Sequence, residues 1–236
     1  MDLSGATFAL LLVWYAVFLF STTLHEASHA LVAYKLGDPT AYHGGQVSLN
    51  PLPHIVREPL GMVAFPVISF LMIGFVFGWA SAPYDPQWAA RHPRRSGLMS
   101  LAGPTANLAL VAVGWVLIRV GLAAGWFRPP EAITGLDTLT AGAGGPGTAG
   151  LATFVSVLFS LNLILFLFNL LPLPPLDGSG VVQILLSEDT ARRYQQLLAH
   201  PMLGLIGILI AWRLFSPLFR PLFRFALELL YPGVYG

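Results

Sequence analysis

Several long apolar runs recur along the sequence, and each is long enough to cross the hydrocarbon core of a bilayer, which is roughly 30 Å thick. Only 10% of the 236 residues are charged, whereas a soluble domain usually carries about 25%. The net charge is +1 and no basic run is typical of a nucleic-acid surface, so nucleic-acid binding is not expected. The sequence therefore predicts an all-α, multi-pass integral membrane protein.

Hydropathy and length divide the chain into about five apolar segments, A to E. They lie at about residues 6–34 (A), 60–80 (B), 97–124 (C), 151–171 (D) and 202–215 (E). After A, residues 44–53 alternate Val47 and Leu49 with polar neighbours and reach Pro51, which predicts a small β-hairpin. We expect one membrane-embedded domain over residues 1–236, with a core at about 6–187 and a C-terminal helix and tail at about 200–236.

A His-Glu-x-x-His sequence, from His25 to His29, ends a long uncharged stretch of segment A. Helical periodicity places both imidazoles on one face, where they can bind one metal ion. Glu26 is rotated by about 100° from His25, beside the metal, where it can act as the general base toward water. Ionisable groups at membrane depth are costly and usually functional. The alternative is a pair of capping or interfacial histidines near a helix end.

A third metal ligand is expected among the carboxylates, because the chain has no cysteine and catalytic zinc usually takes three protein ligands. Only Asp177 directly follows a long apolar segment, in the stretch FNLLPLPPLDGSG. The prolines of this stretch prevent a continuing helix, and irregular backbone at membrane depth must be buried or line a cavity. The alternative is that Asp177 caps a helix at residues 178–186.

These motifs together resemble the site-2 protease family of intramembrane zinc metalloproteases, in its compact bacterial branch without PDZ or CBS domains. The resemblance rests on HExxH in an apolar helix and NxxPxPxxDG far downstream, and spans about residues 24–178. The stretches GGQVSLNPLPHI, FGWASAPYDPQWAARHPRR and SLAGPTANL are also similar to the family. The chain departs from it in reading HIVREP for the usual HIDP, and DGSG for the frequent DGG.

The resemblance implies one Zn²⁺ per chain, bound by His25, His29 and Asp177, with Glu26 activating water. It also implies an intramembrane endopeptidase that cleaves membrane-spanning proteins or peptides in regulated intramembrane proteolysis. Two other functions remain open from the sequence: a non-catalytic membrane scaffold, and a metal-ion transporter that uses the same His/Asp site. All four site residues are present, which favours the enzyme.

Three further residues are candidates for substrate binding. By resemblance, Asn169 holds the substrate strand or stabilises the oxyanion. His54, Asn107 and Asn169 are candidate liners of a polar path for water, but each, and Asn107 above all, could instead be an interhelical hydrogen-bond partner. The HIVREP departure weakens the case for His54. The predicted strand at Val47 and Leu49 is expected to capture an unwound substrate by β-augmentation, unless it only connects A and B.

A shared metal also constrains the topology, because both ligand groups lie near the C-terminal ends of their segments. Segments A and D must then run parallel, segment C makes the one crossing between them, and segment B is re-entrant. Most basic residues then share one side, which the positive-inside rule assigns to the cytoplasm. The Arg-, Ala- and Pro-rich composition with one lysine is typical of a GC-rich prokaryote, so a prokaryotic cell membrane is expected.

Overall fold

The computed structural model describes residues 4–198 and 200–234, and most of them are helical. The helices are α1 Gly5–Lys35, α2 Thr40–His43, α3 Leu52–Arg57, α4 Phe65–Ile73, α5 Pro86–Arg91, α6 Pro93–Ala123, α7 Pro146–Asn169, α8 Asp177–Val181, α9 Glu188–Leu198 and α10 Pro201–Leu230. A π-helical turn, Leu60–Ala64, precedes α4, and a 3₁₀ turn, Val182–Leu185, follows α8. Two short strands, β1 Phe127–Arg128 and β2 Ala141–Gly142, pair antiparallel.

Four of the described helices, α1, α6, α7 and α10, are long and apolar enough to cross a membrane. Segments A, C and D correspond to α1, α6 and α7. Segment E is longer than predicted, because its helix continues past Pro217 and Pro221 to Leu230. Of the five predicted apolar segments, four therefore correspond to candidate spans among the described residues, and segment B contains a shorter apolar helix.

The length of α10 has a packing explanation. A proline inside a helix removes one backbone hydrogen bond and usually interrupts the helix. Here three phenylalanines stack at successive turns of one face, and the first also packs edge-on against Phe168 of α7; they are Phe215, Phe219 and Phe223. Near its start, α10 approaches the proline stretch closely, since a Cβ at Gly207 would lie 1.8 Å from the Pro174 carbonyl oxygen.

Side-chain contacts fix the directions of the first three long helices. Ser21 of α1 lies beside Asn162 of α7, and toward their C-terminal ends His25 meets Asp177, so the two helices run parallel. On α6, Asn107 contacts Asn162, whereas Gly114, one heptad later, packs on the earlier residue Phe159 of α7. Helix α6 is therefore antiparallel to α7, as expected for the crossing between segments A and D.

Segment B folds back on itself. Its helix ends at Gly74 in the left-handed conformation (φ 72°), and the chain returns without helix or strand. Ser69 Oγ accepts a hydrogen bond from the Phe77 amide (2.8 Å), and the Trp79 amide donates to the Gly61 carbonyl (3.2 Å). The two ends of the segment therefore lie side by side. That this fold-back dips into a bilayer as a re-entrant segment stays a prediction.

The β-hairpin predicted after the first helix is not formed at Val47 and Leu49, where the chain makes turns and bends. Local side chains satisfy the backbone instead: Ser48 Oγ accepts from the Asn50 amide, and Asn50 Oδ1 accepts from the Leu52 amide, each at 3.0 Å. Such local hydrogen bonds compete with strand pairing. Among the described residues, the one hairpin is β1–β2, which follows α6 at the other end of the long helices.

Candidate metal centre and active-site cavity

Three side chains predicted to bind metal converge at one point. The His25 and His29 Nε2 atoms are 3.0 Å apart, and Asp177 Oδ2 lies 3.0 Å from the first and 3.3 Å from the second. Asp177 is the first residue of α8, and the contacts of its carboxylate among the described residues are those to the two imidazoles. The carboxylate is turned toward the imidazoles, so the capping alternative does not describe its position.

The spacing of these atoms suits zinc. A tetrahedral zinc ion with bonds of roughly 2.0–2.1 Å to nitrogen and oxygen has ligand atoms about 3.3 Å apart. The three observed separations are close to that value, and two neutral imidazoles with one carboxylate are a common catalytic donor set. Space beside them is provided by Gly103 of α6, where a Cβ would lie 2.3 Å from His29 Nε2 and 2.5 Å from His25 Nε2.

The other ring nitrogens are held by groups of α6. His29 Nδ1 lies 2.7 Å from the Met99 carbonyl oxygen, and His25 Nδ1 lies 2.6 Å from Asn107 Oδ1. Partners of this kind orient metal-binding histidines and raise their basicity. Asn107 is fully buried and bonds to Asn162 of α7 (2.8 Å), so its observed place is the interhelical one and not the cavity surface.

Sequence reasoning missed two of these contacts. The Met99 contact is made by a backbone carbonyl, which carries no residue-type signal. Asn162 had a weak signal, as a polar residue within the apolar run of segment D, about two helical turns before Asn169.

The electrostatics of Asp177 favour a charged ligand. Burial raises the pKa of its carboxyl, but the neighbouring imidazoles of His29 and His25 outweigh burial and hold the pKa below its usual range. The carboxylate is therefore ionised at neutral pH, which is the form that binds a cation.

A cavity of about 680 Å³ opens beside the three ligands. Its wall includes Glu26 and Asn169 and, from the loop before α5, residues 80–82. Glu26 is largely buried, and within the described residues its carboxylate makes no hydrogen bond or ion pair. Asn169 Nδ2 donates to the Leu165 carbonyl (3.0 Å), which leaves its second N–H hydrogen unassigned. Both residues thus face the space where a substrate would meet the metal.

His54 lies elsewhere. Its ring is buried, Nε2 contacts the Ser48 carbonyl oxygen at 3.2 Å, and the residue does not line the cavity. The structure therefore gives His54 a place in the connection between α1 and α4. A polar path through it to the metal finds no support in this arrangement.

The outer wall of the cavity is tied to α1 by Asp38. Its Oδ1 accepts from the amide and hydroxyl of Thr40 (2.9 and 2.5 Å), and its Oδ2 accepts from the Asp85 amide (2.8 Å). Burial raises the pKa of Asp38, but these hydrogen bonds more than offset it and keep the pKa below its usual value. Asp38 thereby fixes the loop that leads into α5, whose Ala89 lines the cavity.

We expect Asp38→Asn to destabilise this loop by about 2 kcal/mol, because hydrogen bonds to a charged acceptor are lost. The folded-state pKa lies below the unfolded value of about 3.9, so the stabilisation is present above that pH and is lost as the pH falls through the folded-state pKa. Hydrogen–deuterium exchange of residues 80–91 measures both the loss of stability in the variant and the pH dependence in the wild type. Asp189→Asn, an exposed carboxylate of α9, is the matched control and should change neither.

The site and the helices that carry it define a class: a metalloprotease in which an HExxH helix and a carboxylate lie together in a multi-pass membrane protein. Family comparison agrees, because the model of Peptidase family M50, the site-2 protease family, matches residues 13–212. The chain belongs to this family. That assignment makes the protein a metalloprotease with membrane-spanning helices, and the His-His-Asp cluster supports Zn²⁺ as its metal.

Named relatives point the same way. The chain is 34% identical to "Putative zinc metalloprotease YwhC" of Bacillus subtilis (strain 168), over 86% of this chain and 90% of that protein. It is 30% identical to "Putative zinc metalloprotease Rip2" of Mycolicibacterium smegmatis and 32% identical to Rip2 of Mycobacterium tuberculosis, over 75% of this chain and 58% of each Rip2. No solved structure matches the chain significantly.

Proposed function

We propose that this protein is a zinc-dependent intramembrane endopeptidase that hydrolyses peptide bonds of membrane-spanning substrates, as in regulated intramembrane proteolysis. The observation that carries the proposal is the meeting of His25, His29 and Asp177 with Glu26 beside one cavity. Both ligand groups stand at the ends of candidate membrane spans or just beyond them. A metal centre at that level can reach a substrate helix that is still held by the bilayer.

The proposed orientation places this centre near the cytoplasmic surface of a prokaryotic cell membrane. His25 lies 20 residues after the start of α1, which is about 30 Å along the helix. Basic residues are more numerous at this end, a pattern typical of a cytoplasmic side. They are Lys35, Arg57, Arg91, Arg94, Arg95, Arg192 and Arg193, against Arg119, Arg128, Arg220 and Arg224 toward the other end.

The catalytic roles follow from the positions of the side chains. His25, His29 and Asp177 would hold the zinc ion, which when bound polarises water and the scissile carbonyl. Glu26 would take a proton from the attacking water on its carboxylate and return it to the leaving amine nitrogen. Asn169 would use its second Nδ2 hydrogen to hold the substrate backbone or the developing oxyanion.

For substrate capture we propose the backbone at residues 80–82, which lies outside helices and strands, and not the bends at residues 44–50. Residues 80–82 line the cavity together with the metal ligands. Among the described residues, their amide and carbonyl groups make no backbone–backbone hydrogen bond. A segment with free backbone groups can pair as a strand with an unwound substrate, whatever the substrate's side chains. The returning part of segment B leads into residues 80–82. As a re-entrant element, segment B would hold these residues at the membrane surface.

Proline substitution tests this capture, because proline removes the N–H donor and still fits extended backbone. Successive N–H groups of a paired strand point to opposite sides, so one of the two variants Ala80→Pro and Ser81→Pro should remove a hydrogen bond to the substrate. That variant should raise KM by about tenfold, as the loss of one backbone hydrogen bond predicts. Zinc content should not change. Ser81→Ala keeps the amide and is the control, and unchanged KM in both proline variants would exclude this segment.

The proposed function itself is tested with purified full-length protein in liposomes. The substrate is a synthetic peptide with one helix-forming run of about 20 apolar residues, the length that spans a bilayer. We expect cleavage within or at the edge of the run, detected by mass spectrometry, and its loss on chelation with recovery on added zinc. Cleavage of soluble casein alone would contradict the intramembrane assignment. Zinc accumulation inside the liposomes without cleavage would favour transport.

A further inference from the structure

The two metal-facing imidazoles are oriented by partners of different kinds. A histidine binds a metal through a ring nitrogen that carries no hydrogen, and the partner of the other nitrogen selects that form. His29 Nδ1 faces the Met99 carbonyl, which can only accept, so Nδ1 must donate. His25 Nδ1 faces the side-chain amide of Asn107, which can turn either its oxygen or its NH₂ toward the ring.

The environment of His25 makes this choice important. In the zinc-free protein, Asp177 Oδ2 lies 3.0 Å from His25 Nε2 and would accept a hydrogen from it. An Asn107 amide turned the other way would donate to Nδ1 and favour the same unwanted form, with the hydrogen on the nitrogen that should bind the metal. A further contact must therefore hold the Asn107 amide in one orientation.

That contact is Asn162. Its Nδ2 lies 2.8 Å from the Leu158 carbonyl oxygen and 2.9 Å from Ser21 Oγ, so both of its N–H hydrogens have an acceptor. The carbonyl can only accept, which places the Asn162 NH₂ on that side and turns Oδ1 toward Asn107 Nδ2 at 2.8 Å. Asn107 Oδ1 is then left facing His25 Nδ1. Each step leaves one orientation for the next group.

We propose that Asn162 is a positioning residue for the metal centre: through Asn107 it holds His25 in the form with the hydrogen on Nδ1 and Nε2 free for zinc. The inference deepens the proposed function, since it rests on His25 as a zinc ligand. The orientation of the Asn162 and Asn107 amides is set by the Leu158 carbonyl, a backbone group of α7. Asn107, Asn162 and Ser21 are all fully buried, so water does not compete for these hydrogen bonds.

The test uses full-length protein in detergent, with zinc as the probe and a competing chelator to measure its dissociation constant. Replacing Asn162 with leucine, which has nearly the same shape, frees the Asn107 amide to turn. Outer partners of metal ligands typically contribute about 10- to 100-fold in affinity, and we expect about tenfold weaker zinc binding for Asn162→Leu. Ser160→Ala, a buried change on the same helix with a bond to the Leu136 carbonyl, should stay within about twofold.

A second variant, Asn107→Asp, separates an effect of Asn162 on the orientation of its neighbours from an effect on general packing. In Asn107→Asp, both carboxylate oxygens are acceptors, so His25 Nδ1 donates whichever way the side chain turns. There, adding Asn162→Leu should not weaken zinc binding further. A tenfold loss in both backgrounds would mean that Asn162 acts through packing, and no loss in either would mean that it has no role; both results overturn the inference. Ser21→Ala should have little effect, because the Leu158 acceptor remains.

One measurement needs no variant. In zinc-free wild-type protein labelled with ¹⁵N-histidine, at a pH where the imidazoles are neutral, His25 should carry its hydrogen on Nδ1. A hydrogen on Nε2 would overturn the inference even if Asn162→Leu failed to fold. Failure of the wild type to bind zinc would instead overturn the proposed function, and the labelled spectrum would still decide the role of Asn162.

Discussion

Replacing Glu26 with glutamine should lower the rate of substrate cleavage by about 100- to 10,000-fold while the protein keeps its zinc. The factor is the usual contribution of a general base. Glutamine has the same shape but accepts no proton, and position 26 is not among the three residues whose ligand atoms converge. The rate is measured with the apolar synthetic peptide, and zinc by elemental analysis of the purified variant.

Glu131→Gln is the matched control, since this exposed carboxylate lies in the connection between α6 and α7, far from the cavity. It should leave rate and zinc unchanged. Proteomics of membrane fragments from cells expressing wild type or Glu26→Gln then identifies natural substrates as the proteins that persist only with the variant. Undiminished cleavage by Glu26→Gln would exclude Glu26 as the base, and loss of zinc would make it a ligand.

Replacing Gly103 with alanine should weaken zinc binding on the order of 100-fold, at the upper end of what residues next to metal ligands contribute. The added methyl group would occupy space 2.3 Å from His29 Nε2 and 2.5 Å from His25 Nε2. Both atoms end side chains that can turn, so the protein can fold while its imidazoles leave the metal position. The dissociation constant from chelator competition reports this directly.

Two controls isolate the effect of the methyl group. Gly114→Ala makes the same change in the same helix, against Phe159 and away from the metal centre, and should retain zinc. A Cβ on the residue before a proline is crowded in a helix, so Gly103→Ala also disturbs the backbone at Pro104. The double variant, in which Gly103 and Pro104 are both alanine, lacks this backbone effect and keeps the added methyl group. Zinc binding should remain weak in the double variant, and its recovery would show that the backbone at Pro104 was responsible.

The metal centre could be predicted because its signals are local. The spacing of His25 and His29 fixes their common face in any helix, and the prolines before Asp177 exclude a continuing helix. The parallel arrangement of α1 and α7 then followed from the need to share one ion. These inferences depend on covalent spacing and on the cost of charge in a membrane, and both can be read from a sequence.

Other features depended on contacts between distant residues. The hairpin was predicted at Val47 and Leu49 from alternation alone, but Ser48 and Asn50 satisfy the local backbone instead. Segment E was ended too early, because the phenylalanine stack that supports α10 across its prolines cannot be read from local rules. The Met99 contact depends on the packing of α6 against α1, and the role of Asn162 depends on the packing of α6 against α7.

The close approach of Gly207 to the Pro174 carbonyl has a consequence for biosynthesis. The proline stretch before Asp177 has polar backbone that lipid cannot satisfy, and α10, which contacts it, follows α1, α6 and α7 in the chain and is therefore synthesised after them. Until α10 is in place, the proline stretch before Asp177 lacks the helix that covers it. The nascent protease would therefore complete its metal centre only after α10 follows α1, α6 and α7, so that hydrolysis could not begin while those three helices stand alone.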